Sequence, residues 1–264
     1  MHPVGSELLA MKRAFLIFQA VVLVVFCSFV QWGEAGAADS RVFVLCYHSF
    51  HGNNRFDYDI SLEELASQMD FLSTKGFRFV SYADLVEGAV TGKKNVLVVI
   101  DDGNQSVYQA FHEVLKPRGI WPVLGIYPNI IGKKSYALTW DQLRELCREG
   151  CDIAGHGYYH LILSRKLYDS DSRAFVQEVA LSKKVLEEKL GVKVSSFVYP
   201  NGARSDIAVQ TLKDAGYESA FTIRWGQAAV PLALNQDPYG LPRFMILNNN
   251  WPMISGFILK SSAE

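Results

Sequence analysis

The stretch Val96-Leu97-Val98-Val99-Ile100 is apolar at every position and stops at two adjacent carboxylates, Asp101 and Asp102, followed by Gly103. A strand without a polar face must be covered on both sides, as it is inside a parallel sheet. The surrounding chain keeps to the same plan. Further strands are expected at 42–46, 77–80, 121–126, 151–154, 196–199, 220–223 and 241–247. Helices fall between them. Ser61 and Glu64 stand in capping-box spacing ahead of Leu65, Met69 and Leu72, and Gly76 ends that helix. A short helix starts at 81–85, and others are expected over 106–116, 139–149, 172–190 (closed by Gly191) and 207–215. Strands alternating with helices predict an α/β fold, a distorted (β/α) barrel of about seven parallel strands rather than an open sheet.

Polar groups gather where those strands end. Asp101, Asp102, His156, His160 and Asn201 each follow an expected strand, and in such a barrel that rim builds the active site. One carboxylate and two imidazoles form the donor set of an open catalytic zinc. His156 and His160 lie four apart beside Gly155 and Gly157, which give the backbone room to bring both rings onto one ion. Neighbouring residues at a strand end point in different directions, so one of the two aspartates can reach the metal while the other faces substrate as a base. Gly103 permits the sharp turn after them.

His48 follows the first strand in Tyr47-His48 and fits the proton donor that a departing amine or alcohol needs. His51 is close by, whereas His112 sits in a helix and reads as structural. The turn Tyr199-Pro200-Asn201-Gly202 offers backbone N–H groups as oxyanion donors. Arg243 interrupts an apolar run and needs an acid partner, for which Asp101 is a candidate. Trp225 and Tyr158 read either as platforms for a sugar ring or as core. The set as a whole points to metal-assisted hydrolysis.

The bulk numbers frame this. A chain of 264 residues is long enough for one domain with a sizeable core. A formal net charge of −1 without long like-charged blocks argues against a nucleic-acid partner. Lys12-Arg13, an apolar stretch over 14–30 and the small residues around Ala35-Gly36-Ala37-Ala38 have the order of a secretion signal. Residues 1–38 are therefore expected to be a signal peptide or an N-terminal membrane anchor, and 39–264 the catalytic domain. The mature chain is expected to be exported: periplasmic, cell-surface or extracellular. It keeps Cys46, Cys147 and Cys151, an odd number, so at least one thiol stays free. Cys147 and Cys151 are read as buried free thiols, with a disulfide between them left open.

These motifs resemble the polysaccharide deacetylase superfamily, carbohydrate esterase family 4, with its NodB homology domain. The resemblance runs over roughly 42–247. The family's Thr-Phe-Asp-Asp-Gly reads Val99-Ile100-Asp101-Asp102-Gly103 here, which implies that Asp101 is the catalytic base and Asp102 a metal ligand. Its His-Ser/Thr-x-x-His reads His156-Gly157-Tyr158-Tyr159-His160, which implies that both histidines bind metal. Gly157 replaces the usual hydroxyl residue. The third motif, Arg-x-Pro-Tyr-Gly, reads Val198-Tyr199-Pro200-Asn201-Gly202, so Val198 stands in place of the arginine that orients the base. The family uses the backbone N–H at the position of Asn201, and that donor survives.

The C-terminal Leu-x-His motif is absent. Both departures resemble the branch that deacetylates poly-β-1,6-N-acetylglucosamine and related exported polysaccharides. That branch takes its acid histidine from an N-terminal Tyr-His, here Tyr47-His48, and supports its base with an arginine near the C-terminus, here Arg243. The resemblance implies metal-dependent de-N-acetylation of an N-acetylhexosamine polymer with release of acetate. The cofactor it implies is Zn²⁺, with Co²⁺, Ni²⁺ or Fe²⁺ as substitutes. Alternatives are peptidoglycan, chitooligosaccharide or another amide as substrate, or an inactive carbohydrate-binding protein. Oligomeric state has no signal in the sequence.

Overall fold

A computed structural model describes residues 40–53 and 56–263. The expected signal or anchor at 1–38 lies outside the described residues. Strand β3 (Asn95–Asp101) is buried along its whole length. It pairs in parallel with β1 (Arg41–Tyr47) on one side and β4 (Val123–Ile126) on the other. The sheet continues through β5 (Asp152–Gly155), β6 (Ser196–Val198) and β7 (Ser219–Phe221), all parallel. The short β2 (Arg78–Phe79) adds to β3, and β8 (Ala228–Ala229) runs antiparallel to β1. Finally β9 (Phe244–Met245) pairs with β1 in parallel, while Leu241 just before it bridges Phe221 of β7. The segment 241–245 thus spans the gap between the two ends of the sheet and curls it into a distorted (β/α) barrel, as the alternation predicted.

The two-residue period of a strand sorts side chains between two cores. Phe43, Leu45, Val96, Val98, Ile100, Leu124 and Ile153 pack in the larger cluster with the helices. Val42, Val44, Leu97, Val99, Val123, Ala154, Val198, Phe221 and Leu241 form the second cluster, the barrel interior. Stepping two residues on from Val44, Val99, Val123 and Ala154 gives Cys46, Asp101, Gly125 and His156. The interior face therefore turns from apolar to chemical at one rim.

Helices form where their caps require. Ser61 accepts from Glu64 N–H and opens Leu62–Thr74, Thr139 does the same for Trp140–Arg148 through Gln142, and Ser172–Leu190 closes at Gly191. The helix expected over 106–116 is not uniform. It is α-helical over Ser106–Ala110, widens to a π-helical turn over Phe111–Leu115 and tightens over Lys116–Arg118 before Gly119. The last strand, expected over 241–247, shrinks to Phe244–Met245. Pro242 has no N–H to give to a ladder, and Arg243 gives its backbone N–H to Arg224 O and its side chain to the interior. A helix at Trp251–Ala263 lies beyond the elements read from sequence. Cys46, Cys147 and Cys151 are free thiols; Cys46 and Cys151 are buried, whereas Cys147, expected to be buried, is half-buried. No helix among the described residues is long and apolar enough to cross a membrane.

Candidate active site

Asp101 ends β3 with its carboxylate inside the barrel, 2% exposed. Arg243, 1% exposed, reaches it from beyond the closing bridge: Nη1 donates to both carboxylate oxygens, at 2.9 and 3.0 Å. The guanidinium Nε donates to Thr222 O, which fixes the fork. Cys46 Sγ donates to Asp101 Oδ2 at 3.3 Å, and His48 Nε2 lies 4.0 Å from the same oxygen. On the far side Gly125 is paired with Asp101 across β3 and β4. A Cβ at Gly125 would stand 2.9 Å from Asp101 Oδ1, so only glycine leaves room for the carboxylate there. Burial alone would raise the Asp101 pKa. The Arg243 charge, helped by His156 and His48, outweighs it and holds the carboxyl well below the usual carboxylate range. Asp101 is thus a buried, ionised carboxylate with fixed neighbours.

Asp102 takes a left-handed backbone, φ 74°, so its side chain leaves the strand direction. Its Oδ1 lies 3.4 Å from His156 Nε2 and 3.5 Å from His160 Nε2, and the two imidazole nitrogens are 3.1 Å apart. His156 is held by its other nitrogen: Nδ1 donates to Val198 O at 2.8 Å. That bond leaves a lone pair on Nε2 aimed at the cluster. His160 sits in a left-handed conformation, φ 63°, which a residue with a Cβ adopts only when its surroundings enforce it. Burial opposes charging His156, but Asp101 and Asp102 outweigh burial and raise its pKa. The same negative potential favours a cation. His160 is pushed the other way, first by burial and then by His156.

These groups fit a divalent metal. Asp102 Oδ1 is buried and has no hydrogen-bond partner among the described residues. One carboxylate oxygen and two imidazole nitrogens lie within 4.8 Å of one another, a three-ligand set that leaves coordination positions open.

The remaining expected residues are placed as follows. His48 stands between Asp101 and a cleft of about 480 Å³ lined by Tyr58, Asp102, Asn104, Tyr127 and Tyr136 among others. Its Nδ1 is buried without a partner among the described residues, and burial lowers its pKa. Asn201 lies in the turn after β6 with φ 54°. The neighbouring Pro200 packs near Gly157 of the histidine loop. Trp225 does not line the cleft: it packs on Phe244 and Phe257. Tyr158 packs edge-on against Tyr159.

Sequence reasoning missed the aromatic wall of the cleft, where Phe56 and Tyr58 stack at 5.2 Å and Tyr58 leans on His48 at 5.1 Å. It also missed Cys46, Gly125 and Glu178. Glu178 had a readable signal, because it falls on the buried stripe Phe175, Glu178, Val179, Ser182, Leu186 of its helix.

The polysaccharide deacetylase family model matches residues 88–220 of the chain, from ahead of β3 into β7. The chain belongs to the polysaccharide deacetylase family. YxkH of Bacillus subtilis is 25% identical over 207 residues, covering 77% of this chain and 70% of that protein. The poly-β-1,6-N-acetyl-D-glucosamine N-deacetylase of Escherichia coli K12 is 25% identical over 227 residues, 70% of this chain, and the match spans only 33% of that longer protein. Among solved structures, IcaB from Ammonifex degensii superposes with a TM-score of 0.71 at 27% identity, over 84% of this chain and 99% of IcaB. A de-N-acetylase from Aggregatibacter actinomycetemcomitans shares the fold with a TM-score of 0.69 at 21% identity, over 82% of this chain and 99% of that one. This polysaccharide deacetylase therefore stands in the NodB superfamily, on its IcaB-like branch. Membership makes it a hydrolase of the polysaccharide deacetylase type, and deacetylases of this family are generally metal-dependent.

Proposed function

We propose that this chain is a metal-dependent de-N-acetylase acting on an N-acetylhexosamine polymer of the poly-β-1,6-N-acetylglucosamine type. The observation that carries the reading is the side-by-side placing of two units. One is an ionised aspartate clamped by a buried arginine, and the other is a carboxylate with two imidazoles sharing one focus. The substrate class is supported by likeness to the E. coli N-deacetylase and to IcaB. It is supported also by the aromatic cleft beside the site, since sugar rings stack on such faces. Export through the 1–38 segment would suit a polymer held outside the cell.

Asp102, His156 and His160 would hold the ion. A bound Zn²⁺, or Co²⁺, Ni²⁺ or Fe²⁺ in its place, would polarise the acetyl carbonyl and make water a better nucleophile. Asp101 takes the proton from the attacking water. Arg243 keeps Asp101 ionised until that moment and holds its carboxylate in one orientation. The backbone N–H of Asn201 donates to the developing oxyanion. His48 gives a proton to the departing amine as the C–N bond breaks, so acetate and a free amino sugar result. Burial makes a protonated His48 the stronger donor, because it holds its proton less tightly.

Paired variants test the division of labour. Asp102→Ala should lose bound metal and acetate release together. His48→Ala should keep its metal, read by elemental analysis, and lose about 10²-fold or more in kcat. Unchanged turnover in His48→Ala moves the acid role to another group. Full turnover in metal-free Asp102→Ala contradicts the metal reading.

A further inference from the structure

Glu178 is a carboxylate with 0% exposure on the helix Ser172–Leu190. A buried carboxyl group needs hydrogen-bond partners, and no cation pairs with Glu178 among the described residues. The partners come from one loop. The backbone N–H groups of Tyr158, Tyr159 and Leu161 donate to its two oxygens at 3.1, 2.8 and 3.0 Å. The loop that wraps the carboxylate in this way runs from His156 to His160 and beyond.

We propose that Glu178 is the positioning residue of the histidine loop, and that Gly157 is the space it requires. This rests on the reading of Asp102, His156 and His160 as a metal centre. The two histidines are held differently. His156 is fixed from the barrel side through Val198 O. No comparable side-chain hydrogen bond ties His160 to the barrel among the described residues; its Nε2 meets only His156 and Asp102. Apart from the Tyr127 ring at 5.1 Å, His160 with its left-handed backbone is held by the loop, and the N–H groups on both sides of it end on Glu178.

Gly157 fits the same account. A Cβ there would stand 2.5 Å from Glu178 Oε2, inside contact distance, and its φ of 75° is also one that glycine favours. The carboxylate occupies the space that a side chain at 157 would need. The glycine in this chain's histidine motif is therefore coupled to Glu178, twenty-one residues on.

Co²⁺ titration of the full, metal-stripped chain, followed by visible absorption, tests the proposal. Glu178→Ala should bind Co²⁺ about 10- to 100-fold more weakly, as loss of a partner behind a ligand does, with an altered band pattern and unchanged helix content by circular dichroism. Glu178→Gln, which keeps one accepting oxygen, should recover part of the affinity. Wild-type affinity and an unchanged spectrum in Glu178→Ala overturn the proposal. If Glu178→Ala does not fold, Gly157→Ser decides. It displaces the carboxylate without removing it and should show the same loss, and wild-type affinity there overturns the coupling. Wild-type protein that takes up no Co²⁺, or Asp102→Ala that binds as tightly as wild type, contradicts instead the metal reading beneath it.

Discussion

Asp101→Asn should lower kcat by about 10²- to 10⁴-fold, the range expected for loss of a general base, while metal content stays at the wild-type level. The amide is close to isosteric, so the strand end and the Asp102 backbone need not move. What changes is the ability to take a proton from water. The substitution also takes the charge from the partner of Arg243, whose guanidinium is 1% exposed and makes its other side-chain bond to Thr222 O. An uncompensated buried charge costs about 3–5 kcal/mol, so a drop of that order in unfolding free energy should accompany the kinetic loss. Rates are therefore compared at a temperature where both proteins are folded. Wild-type turnover in Asp101→Asn would remove Asp101 from the role of base.

The second large effect is on Arg243. Arg243→Met should destabilise the protein by about 3–5 kcal/mol, because Asp101 is then left in the barrel without its counter-ion, with Cys46 as its one side-chain hydrogen-bond donor among the described residues. Activity should fall as well, since the aspartate loses the charge that holds its pKa down. The double variant Asp101→Asn/Arg243→Met separates structure from chemistry. With both charges gone, the stability loss should be clearly smaller than the sum of the two single losses, and turnover should stay at the low level of Asp101→Asn. Denaturant titration measures the coupling. Additive stability losses would mean that the pair at 2.9 Å contributes no mutual stabilisation.

The barrel was legible because its strands are buried on both faces. Unbroken apolar runs such as Val96–Ile100 have few other uses in an α/β chain, and capping residues such as Ser61 and Thr139 mark helix starts locally. The closing segment was less legible. Leu241, Phe244 and Ile246 look like a strand, but Pro242 and the inward Arg243 leave only short pairings. The helix Trp251–Ala263 was missed although Trp251, Ile254 and Ile258 are spaced for one face; Pro252 and Gly256 weaken its local signal.

At the site, Asp101, Asp102, His156 and His160 stood out because polar residues cluster just after apolar strands. The meeting of Cys46 with Asp101, 55 residues apart, follows from the β1–β3 register and has no local signature. Arg243 could be matched to an acid from its apolar setting alone. Trp225 could not be placed, since exposure of a ring depends on which helix packs beside it. Here Phe257, from the unforeseen helix, takes that place.

The central claim is tested most directly by acetate release from a panel of poly-β-1,6-N-acetylglucosamine, chitooligosaccharides and peptidoglycan. The chain from Asp39 onward is assayed with added Zn²⁺, Co²⁺ or Ni²⁺ and with a chelator. The account predicts acetate from poly-β-1,6-N-acetylglucosamine, abolished by chelation and restored by metal. No acetate from any member of the panel by protein that holds its metal, or release that survives complete removal of metal, would contradict it.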